Sequence, residues 1–259
     1  MKIVVCVKAV PDGGPMRIDP ETLRLDRSGG AALNAPDRHA VEEAVRLVEA
    51  ADGAEVVVLS MGSEEALLAV RVALAMGADR ALLVSDEGAA GSDLIGTTCV
   101  LAAALGRERP DLVLFGQQAA DSNGALLWAA VANRLRLPVV SRAVRLEVSE
   151  GEARVERRTD QGRETISSPL PCLIAVSTAI NEPRVPTFRQ LKRAVEKPCE
   201  RLTLADLGFP REAVGEQGAH TEVLALGAPP ARAQARWILD SDDAAEEILE
   251  YLVSRRLVL

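Results

Sequence analysis

The sequence predicts an α/β fold: a doubly wound, mostly parallel layered sheet with an antiparallel meander and a C-terminal helical tail. Three observations predict it. Short β-branched runs alternate with helix-period segments through the first half, alternating polar and apolar residues replace that pattern after Pro138, and residues 220–259 turn Gly/Ala/Pro-rich before closing on a helical stretch.

The runs 3–8, 56–60, 81–85 and 112–115 are apolar on both faces, as strands covered by helices on both sides must be. Three helices connect them. In the first, Ala40, Val41, Ala44, Val45 and Val48 form a buried stripe, Asp37 is placed to cap the start, and Glu42 stands four residues before Arg46, the spacing of an ion pair. Ser63 and Ser92 are cap candidates for the next two. Beyond Pro138, turn signals at Glu150-Gly151 and Gln161-Gly162 bracket 153–158 and give the meander. An apolar strand over 172–177 precedes Asn181-Glu182-Pro183-Arg184-Val185-Pro186, whose prolines exclude a regular helix or central strand and predict an exposed loop. Residues 244–252, with Ile248, Leu249 and Leu252 on one face, predict a short amphipathic helix. Residues 1–219 are expected to form the main α/β domain, and 220–259 an arm that, having left the core, packs on something else.

Charge and composition exclude several functions. A formal charge of −8 over 259 residues repels phosphate backbones and argues against a nucleic-acid partner. No apolar stretch reaches the roughly 20 residues that span a bilayer, and the run 3–7 is too short for a signal sequence, so the chain is expected in the cytoplasm and not in a membrane. Cys6, Cys99, Cys172 and Cys199 lie far apart in apolar segments, which suits reduced core thiols. Two histidines, His39 and His220, without ligand spacing leave no material for a transition-metal site. His39 falls on the polar side of its helix and His220 in the Gly-rich tail; no nucleophile with a base, no paired acids and no lysine in an apolar setting stand out, and no catalytic residue is expected.

The most informative local stretch is the loop after the fourth strand, Gly116-Gln117-Gln118-Ala119-Ala120-Asp121-Ser122-Asn123-Gly124, which leads into a helix carrying Trp128, Ala129 and Leu135. In open parallel sheets ligands bind beyond the carboxyl ends of strands, where the following helix points its N–H groups outward. Small residues let backbone approach a phosphate or ribose, and Gln118, Asp121, Ser122 and Asn123 offer hydrogen bonds. On spacing alone, Ser122 or Asn123 also serves as an ordinary helix cap. Asn34-Ala35-Pro36-Asp37 and Cys6-Val7-Lys8 reach the same sheet edge. Neither a Rossmann fingerprint nor a P-loop is present, and Ser28-Gly29-Gly30 reads as a turn. A third feature is residues 181–197. Arg184, Arg189, Lys192, Arg193 and Lys197 outnumber Glu182 and Glu196 there, around Phe188, the composition of a docking surface for another protein, although Phe188 folded back into the core with its charged neighbours solvated fits the same residues.

Together with 40–47 (AVEEAVRL), 73–80 (ALAMGADR), 111–116 (DLVLFG), 204–208 (LADLG) and above all Asn181-Glu182-Pro183-Arg184, these regions resemble the β subunits of electron-transfer flavoproteins over nearly the whole chain. The resemblance implies a heterodimer. A larger α subunit would carry most of the FAD site, while this chain buries a structural AMP and clasps its partner with the C-terminal arm. It implies donation by acyl-CoA-type dehydrogenases and delivery to a membrane quinone oxidoreductase, as in fatty acid oxidation. AMP contacts carry over to Cys6, Asn34, Ala35, Pro36, Asp37 and Met61, and to the loop residues Gly116, Gln117, Gln118, Ala119, Asp121, Ser122, Asn123, Gly124, Ala125, Leu126 and Leu127. Dehydrogenase docking carries over to Asn181, Glu182, Pro183, Arg184, Phe188, Arg189, Lys192 and Arg193, with Phe188 as the apolar anchor. Two positions depart from the pattern. Leu126 and Trp128 stand where many members have Gln and Gly, which leaves phosphate contact to the backbone N–H groups of 124–127. Arg158 stands where many members place a glutamate that pairs with an arginine of the α subunit's flavin domain. Two rival readings are a bifurcating variant with a second FAD in the AMP position and a nucleotide sensor of the universal-stress-protein type, the latter leaving 181–184 and the arm unexplained.

Overall fold

A computed structural model describes the chain apart from residues 14–15, 52, 150, 228–229, 232–236, 239–242 and 259. Two compact units are formed, Met1–Glu222 and Val223–Leu259.

The chain enters through β1 (Lys2–Cys6), forms the small antiparallel pair β2 (Ala9–Pro11) and β3 (Ala31–Leu33), and runs through α1 (Ala35–Glu49) to β4 (Glu55–Met61). Next come α2 (Leu67–Met76), β5 (Arg80–Val84), α3 (Leu94–Glu108), β6 (Leu112–Gly116) and α4 (Leu127–Leu135). The second half holds β7 (Val139–Ser149), β8 (Glu152–Thr159), β9 (Gly162–Pro169), β10 (Cys172–Val176), α5 (Phe188–Ala194) and β11 (Cys199–Leu202). In the second unit α6 spans Ala244–Ser254.

One nine-stranded sheet results, in the order β11-β5-β4-β1-β6-β10-β7-β8-β9. It is parallel from β11 to β7 and antiparallel from β7 through β9. The expected parallel strands and meander are therefore both present. Side chains of successive strand residues point to opposite faces. Ile3 and Val5 face α1 and α2 with Ala40, Val41, Ala69 and Val70, while Val4 and Cys6 face α3 and α4 with Val100, Leu105, Val131 and Ala132. Helices on both faces explain why the four strands are apolar on both sides.

From β1 the chain steps outward through α1 and α2 to β4 and β5, then returns across α3 to place β6 on the other side of β1. The β1/β6 boundary is thus the topological switch point, where parallel sheets open a crevice at their carboxyl ends.

Several local expectations are corrected. Asp37 does not cap α1: Asn34 is the N-cap residue, Pro36 sits in the first turn, and Asp37 is buried behind them. Glu42 does not pair with Arg46; Arg46 reaches Glu43 at 4.0 Å, and Glu42 is taken by Arg184 at 2.8 Å. Asp93, not Ser92, caps α3, accepting the Gly96 N–H at 2.9 Å. Neither Ser122 nor Asn123 caps α4, whose N-cap is Leu126 without a side-chain bond. Ser63 precedes a 3-10 turn, Glu64–Ala66, again without a side-chain cap bond. Residues 181–187 are irregular as expected, but Thr187 and Gln190 form a reciprocal capping box and the chain then turns helical as α5. The expected Glu150-Gly151 turn has its first residue outside the described residues. All four cysteines are free, and Cys6 and Cys172 are buried. No helix among the described residues is long and apolar enough to cross a membrane.

Candidate functional site

The crevice at the switch point is a cleft of about 650 Å³, within the roughly 300–1,000 Å³ typical of small-molecule sites. Its floor is the end of β1 (Cys6, Val7, Lys8), the end of β4 (Met61) and the end of β6 (Phe115, Gly116). One wall is the loop from Gln117 to the start of α4; the other is the start of α3, with Ser92, Leu94, Thr97 and Leu101. Cys6, Asn34, Asp37, Met61, Gly116, Gln117, Gln118, Ala119, Ser122, Gly124, Ala125, Leu126 and Leu127 all line it, so the three sequence-separated stretches do converge. Ala35, Pro36, Asp121 and Asn123 do not reach the cleft lining. They build it from behind.

Asn34, only 1 % exposed, joins α1 to the loop: its amide donates to the Gln118 carbonyl at 3.0 Å, and its Oδ1 accepts the Ala120 N–H at 3.0 Å. The Trp128 indole donates to the Gln117 carbonyl at 3.0 Å and folds the beginning of α4 back onto the loop. Gln117 Oε1 in turn accepts the N–H of Arg142 at 2.9 Å, at a bulge where β7 passes from parallel to antiparallel pairing. Asn123 and Ala125 both hold positive φ, 47° and 45°. For alanine this is uncommon, and strain of this kind concentrates at ligand sites. Those two left-handed residues orient the chain so that α4 begins at the cleft with no side chain capping its first N–H groups.

Charge is arranged around two acids. The Asp121 carboxylate has no exposed surface and is held by Lys8 Nζ at 2.8 Å and Arg27 Nη2 at 2.5 Å. Burial alone would raise its pKa, but the two cations outweigh it and hold the carboxyl below its ordinary value. Lys8 and Arg27 also line the cleft, so its rim carries two cations against one buried anion. Asp37 lines the cleft beside the floor, accepting the Lys8 N–H at 2.7 Å. Full burial pushes its pKa up to about 7, against hydrogen bonds from Lys8, Asn34 and Gly116 that pull it down. Burial, and then the neighbouring Asp37, push the Cys6 thiol well up, so Cys6 stays a protonated, apolar part of the floor.

Sequence reasoning passed over the α3 wall and Arg27. The α3 residues carry no motif and meet the cleft only because of the strand order. Arg27 sits next to the Ser28-Gly29-Gly30 turn, and its partner Asp121 is 94 positions away.

The docking candidates fall into two groups. Phe188 is 83 % exposed and Val185 84 %, with Leu191 and Val195 also outward. Arg189, Lys192 and Arg193 surround them on α5, exposed. Asn181 and Arg184 instead turn inward, Asn181 onto His39 and Glu43, Arg184 onto Glu42 and Glu49. Glu182 is exposed and Pro183 half-buried. His39 is accordingly not on a free polar face: its Nδ1 donates toward the Asn181 carbonyl at 3.0 Å. Among the described residues no cluster of acids, histidines and cysteines is arranged to hold a metal.

The electron transfer flavoprotein domain family matches residues 22–207. The electron transfer flavoprotein subunit beta of Mycobacterium tuberculosis strain H37Rv is 38 % identical over 263 aligned positions, covering 99 % of each chain. The caffeyl-CoA reductase-Etf complex subunit CarD of Acetobacterium woodii is 35 % identical, covering 98 % of this chain and 97 % of its own. The electron transfer flavoprotein subunit beta of Megasphaera elsdenii is 32 % identical and covered end to end. With the family match over residues 22–207 and identity at this level across its whole length, the chain belongs to the electron transfer flavoprotein family, among its β subunits.

Proposed function

We propose that this β subunit holds one AMP in the switch-point cleft as a structural group and pairs with an electron transfer flavoprotein α subunit that carries most of an FAD site. The heterodimer works in the cytoplasm as an electron carrier. It takes electrons from acyl-CoA-type dehydrogenases in fatty acid oxidation and passes them to a membrane quinone oxidoreductase. The observation that carries this reading is the pairing, in one cleft, of an apolar floor and an uncapped helix start. Met61, Leu101 and Phe115 supply apolar lining against which a purine can pack, and the start of α4, uncapped by any side chain, supplies N–H groups for a phosphate. Lys8 and Arg27 add positive charge at the rim. The residues present therefore fit an adenine mononucleotide.

The flavin supplies the redox chemistry when bound. This chain's own residues bind, orient and exclude water: Asn34 and Trp128 fix the loop, Asp121 fixes the two cations, and Cys6 remains a protonated thiol in the floor. Side chains of α5, led by Phe188, form the landing surface for the donor. None of these groups is asked to move a proton.

The test is to purify the chain with its α subunit, denature the complex and identify the nucleotides released. One AMP and one FAD per heterodimer is the expected result. Two FAD would mark a bifurcating carrier, and ATP without flavin would mark a sensor; either would overturn the reading.

A further inference from the structure

The segment that carries the docking residues is tied down at both ends by polar groups that the docking surface itself does not use. At its start, Asn181 Nδ2 donates to the His39 carbonyl at 3.0 Å and to Glu43 Oε2 at 2.9 Å. Three residues on, Arg184 spreads its guanidinium over two acids of α1: Nε and Nη2 reach Glu42 at 2.8 and 3.1 Å, Nη1 and Nη2 reach Glu49 at 2.7 and 2.9 Å. The Arg184 backbone N–H also donates to Glu42 Oε2 at 3.0 Å. At its far end, Lys197 Nζ donates to the carbonyls of Leu74 and Ala78 at 3.0 and 2.5 Å, closing the last turn of α2. Between these ties, Ala194 is buried in the core beneath α5, and the Thr187–Gln190 capping box starts the helix.

Such an arrangement is costly unless it is needed. Glu42 and Glu43 are 5 % and 7 % exposed, and a buried carboxylate is tolerated only when paired. A seven-residue helix is too short to hold itself in water. Without the ties, 185–194 would be a flexible strand of chain and its ordering would be lost from the docking free energy.

We propose that Asn181, Arg184 and Lys197 are positioning residues that fasten 181–197 onto α1 and α2, so that α5 presents Phe188 and its ring of Arg189, Lys192 and Arg193 already in the shape a donor protein binds. This rests on the reading of α5 as the docking surface. Arg184 touches α1 and not the donor, and its role is to remove the ordering cost of docking.

The test uses the heterodimer. Arg184→Gln alone would leave Glu42 buried and unpaired, so the principal variants are Glu42→Gln/Arg184→Gln and, at the other end, Lys197→Met. The first measurement is amide hydrogen exchange. Exchange across 185–194 is expected to rise about 10-fold while the β1 and β6 amides stay protected. The second is steady-state reduction by an acyl-CoA dehydrogenase. KM for the donor or carrier pair is expected to rise about 5–10-fold with kcat unchanged, and Arg184→Lys, which keeps the charge but not the fork, to restore part of both effects. Unchanged exchange in both variants overturns the proposal. So does raised exchange with unchanged KM when Phe188→Ala raises KM, since docking would then not need the fastening. If Phe188→Ala itself leaves KM unchanged, the docking reading fails, and this proposal with it.

Discussion

Gly116 lies so close to Asp37 that a Cβ added at Gly116 would overlap the Asp37 carboxylate and the backbone of Pro36 and Asp37. The end of β6 and the first turn of α1 are thereby in backbone contact, and that contact sets the depth of the switch-point cleft. Gly116→Ala is expected to force the two apart. Overpacking of this kind costs about 1–3 kcal/mol, and the expected outcome is a lower midpoint in urea together with loss of most of the bound nucleotide. A variant with wild-type midpoint and full nucleotide content would show that the contact is not needed.

Asp37 also makes stability depend on pH. Its pKa is raised from 3.8 to about 7 in the folded chain, chiefly by burial. The folded state keeps a proton that the unfolded state releases near its ordinary value, so the stabilisation is complete below that value and is lost as pH rises toward 7. Asp37→Asn is expected to flatten the fall in Tm between pH 5 and pH 8. Equal slopes for the variant and the parent would assign the pH dependence elsewhere.

Asp121 acts in the opposite direction. Lys8 and Arg27 hold its pKa below the ordinary value, so its contribution is present at neutral pH and lost as pH falls below about 4. Both cations are partly exposed, which screens the interaction; Asp121→Asn is therefore expected to cost about 1–2 kcal/mol at pH 7 and less at pH 3. Denaturant melts at the two pH values check this, and an equal loss at both would indicate packing instead of charge.

Phe188 is the most exposed aromatic of α5. Anchors of this kind carry about 2 kcal/mol or more of docking energy, so Phe188→Ala is expected to slow flavin reduction by the donor about 30-fold at subsaturating carrier without releasing FAD. Stopped-flow reduction at low and high salt is the measurement. Identical kinetics in both salts would remove Phe188 from the docking surface.

In the second unit, Trp237 is 85 % exposed and Ile248, Leu249 and Tyr251 of α6 are exposed as well. An apolar helix face needs a surface to cover. Deleting the arm from Pro229, a residue outside the described ones, is expected to weaken the heterodimer, read as early dissociation on a sizing column at micromolar concentration. Co-elution of the truncated chain with its α subunit at that concentration would contradict it.

The parallel strands were legible because burial on both faces leaves no polar position in runs such as 112–115, and the meander because a half-exposed strand must alternate. Cap residues were read less well. Asp37, Ser92 and Ser122 all have the right chemistry, but each start was taken by a neighbour: Asn34 ahead of Pro36, Asp93 beside Ser92, and at α4 a backbone turned by left-handed Asn123 and Ala125. Arg184 illustrates the deeper limit. Its charge and its place in a proline-rich loop suggest a surface contact, whereas its acids lie 135 and 142 positions upstream on α1. Pairings at that distance follow from strand order, which local sequence does not encode. The same holds for the α3 wall of the cleft, where Leu94, Thr97 and Leu101 carry no mark of their own.

The most direct measurement is to produce the chain with and without its α subunit and to record the visible spectrum and the reduction of each preparation by an acyl-CoA dehydrogenase. The expected result is a yellow heterodimer that is reduced by the donor, and a β chain that binds no flavin and accepts no electrons by itself. An isolated β chain that carries flavin and is reduced as fast as the complex would contradict the assignment of this polypeptide as a nucleotide-braced landing platform.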